Sequence, residues 1–221
     1  MRGAPNAMET RALAWARRVQ AISQIGLTYA DNPYDRERYE SLRDLAAEML
    51  AAETSGDSAD EAAARVRLDD VLAGLSGYPT PKVDVRALVR SPGRDAVLLV
   101  QERVDGRWSL PGGWADIGSS PTENAVREVA EEAGVTVAAG RLLALYDRSR
   151  HGHPPSPNYV YKLFVACELV AGEPGPGPET LAAGFFGPGR LPPLSSGRVT
   201  AVQIARLLYL DDHPELPPDL D

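Results

Sequence analysis

The stretch Leu110–Val135, LPGGWADIGSSPTENAVREVAEEAGV, decides how the rest of the chain is interpreted. It reads as a Gly-rich loop followed by a helix with a clear start and end. Ser120 is a suitable N-cap, Pro121 fits the first helical position, and Glu123 completes a capping box. Gly134 supplies the C-terminal stop. Apolar residues recur between these signals at helical spacing and predict a face that packs on a core: Ala125, Val126, Val129, Ala130 and Ala133.

The other face of this helix carries three carboxylates, Glu128, Glu131 and Glu132. Glu131 and Glu132 follow Glu128 by three and four residues, and each such like-charge pair costs roughly 0.2–0.5 kcal/mol on an exposed helix. Arg127 can pair with Glu123 and Glu131, but it cannot neutralise all the carboxylates. A divalent cation is the simplest missing charge, and oxygen ligands favour Mg²⁺ or Mn²⁺ over zinc. A solvated acidic face is the alternative interpretation.

The same stretch resembles the signature of the Nudix hydrolases. That signature has a glycine, five residues, a glutamate, seven residues, and then Arg-Glu-x-x-Glu-Glu-x-Gly. Here Gly113 opens the pattern and residues 127–134 close it at matching spacing, whereas Ser119 stands in place of the first glutamate. In the family that glutamate mostly supports the loop, so we interpret Ser119 as a subfamily trait that leaves the number of metal ions open.

The resemblance implies metal-dependent hydrolysis of a pyrophosphate bond in a nucleoside diphosphate linked to another group. It implies that Glu128, Glu131 and Glu132 bind Mg²⁺ or Mn²⁺ together with the Gly112 carbonyl. Catalysis would also involve Arg127 of the signature.

A general base can lie in the signature or on a later loop in this family. Glu179, which follows a Gly/Pro-rich loop, is our first choice, with Glu173 and Glu132 as alternatives. An exposed loop charge is the plain alternative for Glu179.

Several residues outside the signature are candidates for contacts with the nucleotide. Arg86 projects opposite the apolar face of its strand and suits a phosphate, although a surface ion pair with Asp84 or another acid explains it equally well. His153 lies on a Pro-rich loop with His151, where a solvated histidine is the alternative. Trp114 and Tyr159 could stack on a base or pack in a core.

Composition narrows the class of protein. The chain has 221 residues, is 43% hydrophobic and 24% charged, and carries a net charge of −8, which argues against non-specific binding to nucleic acid. Its single cysteine, Cys167, excludes internal disulfides and lies in an apolar run typical of a buried thiol. No apolar stretch is long enough to span a membrane. We therefore expect a cytoplasmic protein with no membrane partner.

Residues 1–76 are predicted to form a small helical domain for dimerisation or for covering a pocket. Three amphipathic helices are expected, separated by Asp31–Pro33 and by Gly56-Asp57, and the third opens with a capping box at Ser58 and Glu61. The residues expected to be buried are Trp15, Val19, Ile22 and Ile25 in the first helix, Tyr39, Leu42, Ala46 and Met49 in the second, and Val71, Leu72 and Leu75 in the third.

The segment Gly77–Pro81 marks a boundary, after which the apolar period changes from helical to alternating. Strands are predicted at 83–89, 96–100, 135–137, 142–146 and 160–165, and a last helix at 198–210. Strands between helices indicate an α/β fold, and the resemblance implies a Nudix α/β/α sandwich with a mixed sheet over residues 77–211. Residues 212–221 are predicted to be a frayed, Pro-rich acidic tail.

The wider resemblance, over most of residues 77–204, is to a Nudix branch that has an N-terminal helical domain. That branch includes CDP-choline and ADP-ribose pyrophosphatases, so a nucleotide-linked small molecule and a homodimer are expected. Attack on RNA ends and a non-catalytic nucleotide-binding regulator are the alternatives. The intact set of three glutamates argues against the regulator.

Overall fold

The computed structural model describes residues 10–54 and 77–221. The predicted third helix of the N-terminal region, with Ser58, Glu61, Val71, Leu72 and Leu75, lies outside these ranges. The described chain divides into two compact units. One contains the described residues up to Pro81 together with Pro154–Tyr159, and the other contains Lys82–His153 and Val160–Asp221. The sequence did not indicate that 154–159 belongs with the helices, and the predicted domain limits stay predictions.

The first unit contains two helices, α1 (Arg11–Tyr29) and α2 (Pro33–Thr54). Thr10 caps α1 by accepting a hydrogen bond from the Leu13 amide. The helices approach closely near Gly26, where an added Cβ would lie 2.3 Å from the Tyr39 ring. Small side chains and leucines fill the contact: Leu13, Ala16, Ala47 and Leu50.

The predicted buried stripe of α1 was wrong at two positions. Trp15 and Ile22 are each 55% exposed, whereas Leu13, Ala16 and Ser23 are fully buried. The close approach of the two backbones favours small residues at the contact and turns the larger apolar ones outward. Arg17 also donates to the Ser156 carbonyl, which ties segment 154–159 to α1.

The second unit has the fold class that the sequence predicted, an α/β/α sandwich with a mixed sheet. Its elements in chain order are β1 (Lys82–Val89), β2 (Val97–Glu102), β3 (Trp108–Ser109), β4 (Gly112–Trp114), α3 (Pro121–Ala133), β5 (Thr136–Asp147), β6 (Val160–Ala171), β7 (Thr180–Phe186), α4 (Ala201–Asp212) and β8 (Asp219–Leu220). A five-stranded sheet has the order β4-β1-β6-β5-β8, and a three-stranded sheet has the order β3-β2-β7.

The two faces of the larger sheet build separate apolar cores. Val85 and Ala87 of β1 pack with Val129 of α3 in one core. Leu88 of the same strand packs with Ile204 of α4 in the other. Because side chains alternate along a strand, Asp84 and Arg86 share the face of Leu88. This parity places charged residues on the α4 side of β1.

Two parts of this unit differ from the sequence predictions. The two short strands expected at 135–137 and 142–146 form one strand, β5, with irregular register along its length. The expected frayed tail was also wrong, because β8 pairs in parallel with β5. Asp219 accepts a hydrogen bond from the Tyr146 hydroxyl at 2.8 Å and pairs with Arg206 at 2.7 Å, so the acidic tail has specific partners.

Within the described ranges, no helix is long and apolar enough to cross a membrane.

Candidate active site

Helix α3 starts and ends as the sequence predicted. The Ser120 side chain accepts from the Glu123 amide while the Glu123 carboxylate accepts from the Ser120 amide, which completes the capping box. Gly134 ends the helix in the left-handed conformation, with φ 68°. Buried Ala125 and Val129 fix the helix against the sheet, so the orientation of its acidic face is set.

The loop before α3 depends on Asn124, a residue that sequence reasoning missed. Its side-chain amide donates to the Ser120 carbonyl at 2.9 Å and the Ser119 carbonyl at 3.3 Å, and its oxygen accepts from the Asp116 amide at 3.0 Å. Asn124 is buried, whereas Ser119 is exposed. The loop is therefore supported from the helix, which explains how it keeps its shape with serine at the position of the first signature glutamate.

The Gly112-Gly113 pair brings the chain against both β1 and α3. Gly112 has φ 139°, and an added Cβ would lie 2.1 Å from the Val85 carbonyl oxygen, so no other residue fits. Its amide donates to Glu132 Oε2 at 2.8 Å. An added Cβ on Gly113 would lie 3.3 Å from Glu128 Oε1. Two of the three predicted carboxylates therefore meet at this dipeptide.

Arg127 holds the outer part of the acidic face. Its guanidinium pairs with Glu128 at 2.9 Å and with Glu131 at 2.7 Å, and also with Asp116 at 2.9 Å. The predicted pair with Glu131 is confirmed, whereas Glu123 is engaged in the capping box instead. Arg127 thus offsets two of the carboxylates but has no direct bond to Glu132.

The three glutamates have unequal environments. Glu132 is only 7% exposed, and its burial raises the pKa of the carboxyl to about 7, although the Gly112 N–H and Arg86 act in the opposite direction. Burial also raises the pKa of Glu128, with Arg127 opposing. The Glu131 side chain is mostly exposed. A group with a pKa near neutrality is suited to exchanging a proton or to binding a cation when it ionises.

In the described residues, no three His, Cys, Asp or Glu side chains stand close enough together to form a metal site. The cause lies in the contacts above, because Arg127 draws Glu128 and Glu131 while the Gly112 amide draws Glu132. The donors that meet at Gly112-Gly113 are all oxygens, which suits a hard divalent cation. Glu128, Glu132 and the Gly112 carbonyl fit such an ion in donor type.

Behind the glycine pair lies a buried ionic network on β1 and β6. Arg86 is buried, and its Nε donates to Asp84 Oδ1 at 2.8 Å while its Nη1 donates to the Leu110 carbonyl at 3.1 Å. Asp84 also accepts from Lys162. Burial alone would raise the pKa of Asp84, but Arg86 and Lys162 together hold it below its ordinary value. The predicted ion pair between Arg86 and Asp84 is present, but it is buried and not at the surface as expected. A phosphate contact of Arg86 stays a prediction.

A second ionic group lies at the end of β2. Buried Glu102 pairs with Arg198 at 3.0 Å and approaches Arg86 Nη1 at 3.8 Å. Ser195 donates to Asp105 at 2.7 Å in the same loop region. Two sequence features mark these residues, since Glu102 ends an apolar strand and Arg198 lies just before α4.

The two loop histidines differ in their surroundings. His153 is buried and its Nδ1 lies 2.7 Å from the Ser196 carbonyl, so Nδ1 is the donor and carries the proton. Its Nε2 has no hydrogen-bond partner among the described residues, and burial lowers the pKa of the ring to about 4. His151 stacks on Tyr146 at 3.8 Å and bonds to Asp221 at 2.9 Å. Neither is a freely solvated loop side chain.

The other residues predicted to contact the substrate or to act as the general base have exposed side chains. Trp114 is half-exposed with the Lys82 ammonium 5.3 Å from its ring centre, and Tyr159 lies in the first unit beside Arg17. Glu179 is exposed, and so is Glu173. Thr180, directly after Glu179, donates to the Glu132 carbonyl oxygen at 2.7 Å. The roles given to these residues stay predictions.

Cys167 is buried and free, and burial raises the pKa of its thiol to about 11, so the predicted structural thiol is confirmed.

Comparison with known proteins identifies the scaffold. The NUDIX domain matches residues 80–207, which include the glycine pair, the acidic helix and the ionic network. The chain belongs to the Nudix family. Residues 10–62 match a second Nudix-associated family, described as a UDP-X-like N-terminal oligomerisation domain.

Individual Nudix proteins are similar over most of the chain. YjhB of Bacillus subtilis (strain 168), named provisionally as an ADP-ribose pyrophosphatase, is 44% identical over 208 residues, 94% of this chain and 96% of its own. A solved UDP-X diphosphatase is 35% identical with a TM-score of 0.59, covering 95% of this chain and 97% of that one. A solved ADP-ribose pyrophosphatase from Streptococcus suis 89-1591 is 44% identical with a TM-score of 0.58, covering 64% and 100%.

These comparisons confirm the predicted family, the helical N-terminal domain of its branch and the predicted reaction class. The protein is a Nudix hydrolase that acts on a nucleoside diphosphate linked to another moiety. Nudix hydrolases generally need a divalent metal ion, in agreement with the oxygen donors at Gly112-Gly113.

Proposed function

We propose that this Nudix hydrolase cleaves the pyrophosphate bond of a nucleoside diphosphate sugar, with ADP-ribose as the first candidate and Mg²⁺ or Mn²⁺ as the metal. The observation that carries the proposal is the meeting of the Glu128 and Glu132 carboxylates at Gly112-Gly113. Water would add across the P–O–P bridge of ADP-ribose to give AMP and ribose 5-phosphate. CDP-choline, the other substrate expected from the sequence, belongs in the same test.

In this proposal Glu128, Glu131, Glu132 and the Gly112 carbonyl would hold the cation. The bound cation supplies positive charge that neutralises the diphosphate and activates water. Arg127 keeps the acidic face ordered through its ion pairs. The Gly112 N–H fixes the position of the Glu132 carboxylate.

The general base accepts a proton from the attacking water. We keep Glu179 as the first candidate, because its neighbour Thr180 bonds to the end of α3 and so holds this segment near the acidic helix. Glu132 is the alternative, supported by a pKa raised to about 7 through burial. Comparing the turnover of Glu179→Gln and Glu132→Gln tests which of the two residues is the general base.

The choice of ADP-ribose is supported by the proteins named above. Two relatives at 44% identity carry the name ADP-ribose pyrophosphatase, one of them provisionally, and the third is a UDP-X diphosphatase. The net charge of −8 disfavours RNA ends as substrates. We also propose a cytoplasmic location, based on the single cysteine and the composition.

The test is a substrate panel with Mg²⁺ and, separately, Mn²⁺: ADP-ribose, CDP-choline, a UDP-sugar, NADH, a diadenosine polyphosphate and 5′-triphosphate RNA. Products are resolved by chromatography. Fastest turnover of ADP-ribose supports the proposal, and fastest turnover of another member replaces the substrate. Tight binding of one compound with no turnover of any would favour a nucleotide-binding regulator.

We further propose that the helices of the first unit form a homodimer. Trp15, Val19 and Ile22 are spaced by four and three residues along α1, and the first and last are each 55% exposed. An exposed apolar stripe of this kind is typical of an association surface. The match of residues 10–62 to an oligomerisation domain supports the same conclusion.

A further inference from the structure

Lys162 is fully buried, and neither the reaction class nor the metal site gives it a role. It lies on β6 directly opposite Asp84 of β1 in the parallel register, on the face of the sheet that packs against α4. A buried lysine is costly even when it is paired, and a well-packed apolar residue would often be as stable there. Its presence therefore suggests a use beyond stability.

A continuous series of bonds leads from Lys162 to the acidic helix. Lys162 Nζ donates to Asp84 Oδ2, and Arg86 Nε donates to Asp84 Oδ1 at 2.8 Å. Arg86 Nη1 then donates to the Leu110 carbonyl at 3.1 Å. Two residues further on, the Gly112 amide donates to Glu132 Oε2 at 2.8 Å. The segment between is also pinned to β1, because the Ala87 amide donates to the Pro111 carbonyl at 2.9 Å.

The charges along this series compete for one guanidinium. Arg86 bonds to Asp84, lies 3.8 Å from Glu102 and is within electrostatic reach of Glu132. Lys162 neutralises part of the charge on Asp84. Without it, Asp84 would attract Arg86 more strongly and away from the Leu110 carbonyl and the two glutamates. Lys162 thus determines how strongly Arg86 interacts with Asp84 and how strongly with the Leu110 carbonyl and the two glutamates.

We propose that Lys162 is a positioning residue for the hydrolysis proposed above, acting through Asp84 and Arg86 to align the Leu110–Gly112 segment with Glu132. It contacts neither substrate nor metal in this role. Its loss leaves substrate binding largely intact and disturbs the place where Glu132 and the Gly112 carbonyl hold the cation.

The test is Lys162→Met, which is unbranched and only one atom shorter and removes the charge. We expect kcat for ADP-ribose to fall at least tenfold with KM within about threefold of wild type. Mn²⁺ affinity, measured by titration calorimetry without substrate, should weaken at least threefold. Arg94→Met, which removes an exposed cation paired with Asp211, is the matched control and should leave both values unchanged.

A double variant tests whether Lys162 acts through Asp84. The effects of substitutions within one network are not additive. The double variant Lys162→Met/Asp84→Asn should therefore lose no more activity than the more impaired single variant. Additive losses of activity would contradict the proposal that Lys162 acts through Asp84. Wild-type kcat and Mn²⁺ affinity in Lys162→Met, with only a lower melting temperature, would show a merely structural ion pair and also overturn it.

Two further outcomes stay informative. If Lys162→Met does not fold, Asp84→Asn alone carries the test, and wild-type kcat and Mn²⁺ affinity in that variant contradict the proposal. If the wild-type protein hydrolyses no compound of the panel, the proposed function fails. The Mn²⁺ titration of the variants then shows by itself whether Lys162 acts as a positioning residue.

Discussion

At the scale of single residues, the three glutamates of α3 show what a spacing can predict. Their common face follows from helical geometry, and the sequence predicted it. Their unequal environments do not follow from geometry, since Glu132 is buried under the glycine pair while Glu131 remains exposed beside Arg127. The difference depends on β4, a short strand that no local pattern indicated.

Burial of Glu132 leads to a prediction about stability. Its folded pKa, about 7, lies above the ordinary 4.5, so the folded state holds the proton more tightly than the unfolded state. In the metal-free protein, Glu132 should therefore not lower the free energy of unfolding below pH 4.5. The free energy of unfolding should fall as the pH rises from 4.5 to about 7. Glu132→Gln removes the charge, and at pH 8 it should raise the free energy of unfolding by up to about 3 kcal/mol.

The measurement is denaturant unfolding in the presence of a chelator at pH 5 and pH 8. The gain should be larger at pH 8 than at pH 5, because only the wild-type carboxyl ionises between them. Glu131→Gln is the control on the same helix, and its exposed position predicts a change within about 0.5 kcal/mol. A Glu132→Gln variant no more stable than wild type at pH 8 would refute the raised pKa.

The ionic network of Asp84 and Lys162 was beyond prediction from sequence. The two residues are 78 positions apart, and their pairing requires the parallel register of β1 and β6. A charged residue inside an apolar strand can indicate an edge, a site or an error of assignment. Only the register shows that these two charges compensate each other.

At the scale of elements, the Gly-rich stretch is a strand as much as a loop. β4 pairs antiparallel with β1, with Gly112 opposite Arg86. The sequence showed that glycine was needed but not that the reason is a backbone contact with β1. Likewise, the apolar period of α1 predicted a helix correctly and its buried face incorrectly, because the contact with α2 selects small residues.

Gly112→Ala tests the importance of that contact. The added Cβ would lie 2.1 Å from the Val85 carbonyl oxygen at a φ of 139°, a conformation that L-residues rarely adopt. We expect a loss of about 1–3 kcal/mol in stability together with loss of turnover, since the clash would move the backbone amide of residue 112 away from Glu132. Thermal unfolding and the ADP-ribose assay measure the two effects.

Gly189→Ala is the matched control, because nothing lies within 4 Å of its Cβ position. It should unfold and turn over as the wild type does. A Gly112→Ala variant with normal stability and activity would show that the close approach of β4 to β1 is not required.

At the scale of the whole molecule, the fold class and the order of elements in the second unit were predictable. Alternation marks β1, a fully apolar run marks β2, and a capping box marks α3, so local signals agree with the final fold. The C-terminal strand was not predictable, because Pro-rich acidic sequence is usually frayed. Its pairing with β5 depends on partners such as Tyr146 and Arg206 elsewhere in the chain.

The proposed homodimer gives a prediction at this scale. Ile22→Arg places a charge in the exposed stripe of α1 and should convert the dimer into a monomer in sedimentation equilibrium. Val202→Arg is the control, since Val202 of α4 is also apolar and exposed and should leave the dimer intact. A dimer that persists in Ile22→Arg would place the interface elsewhere, and a monomeric wild-type protein would contradict the homodimer itself.

The most direct test of the site at Gly112-Gly113 is the initial rate of AMP release from ADP-ribose in Mg²⁺, compared between the wild-type protein and Glu132→Gln. The exposed Glu168→Gln on β6 serves as the control and should keep the wild-type rate. We predict that Glu132→Gln lowers the rate at least about 10²-fold, the low end for losing a positioned catalytic group. A rate close to wild type in Glu132→Gln would contradict the assignment of the site at Gly112-Gly113.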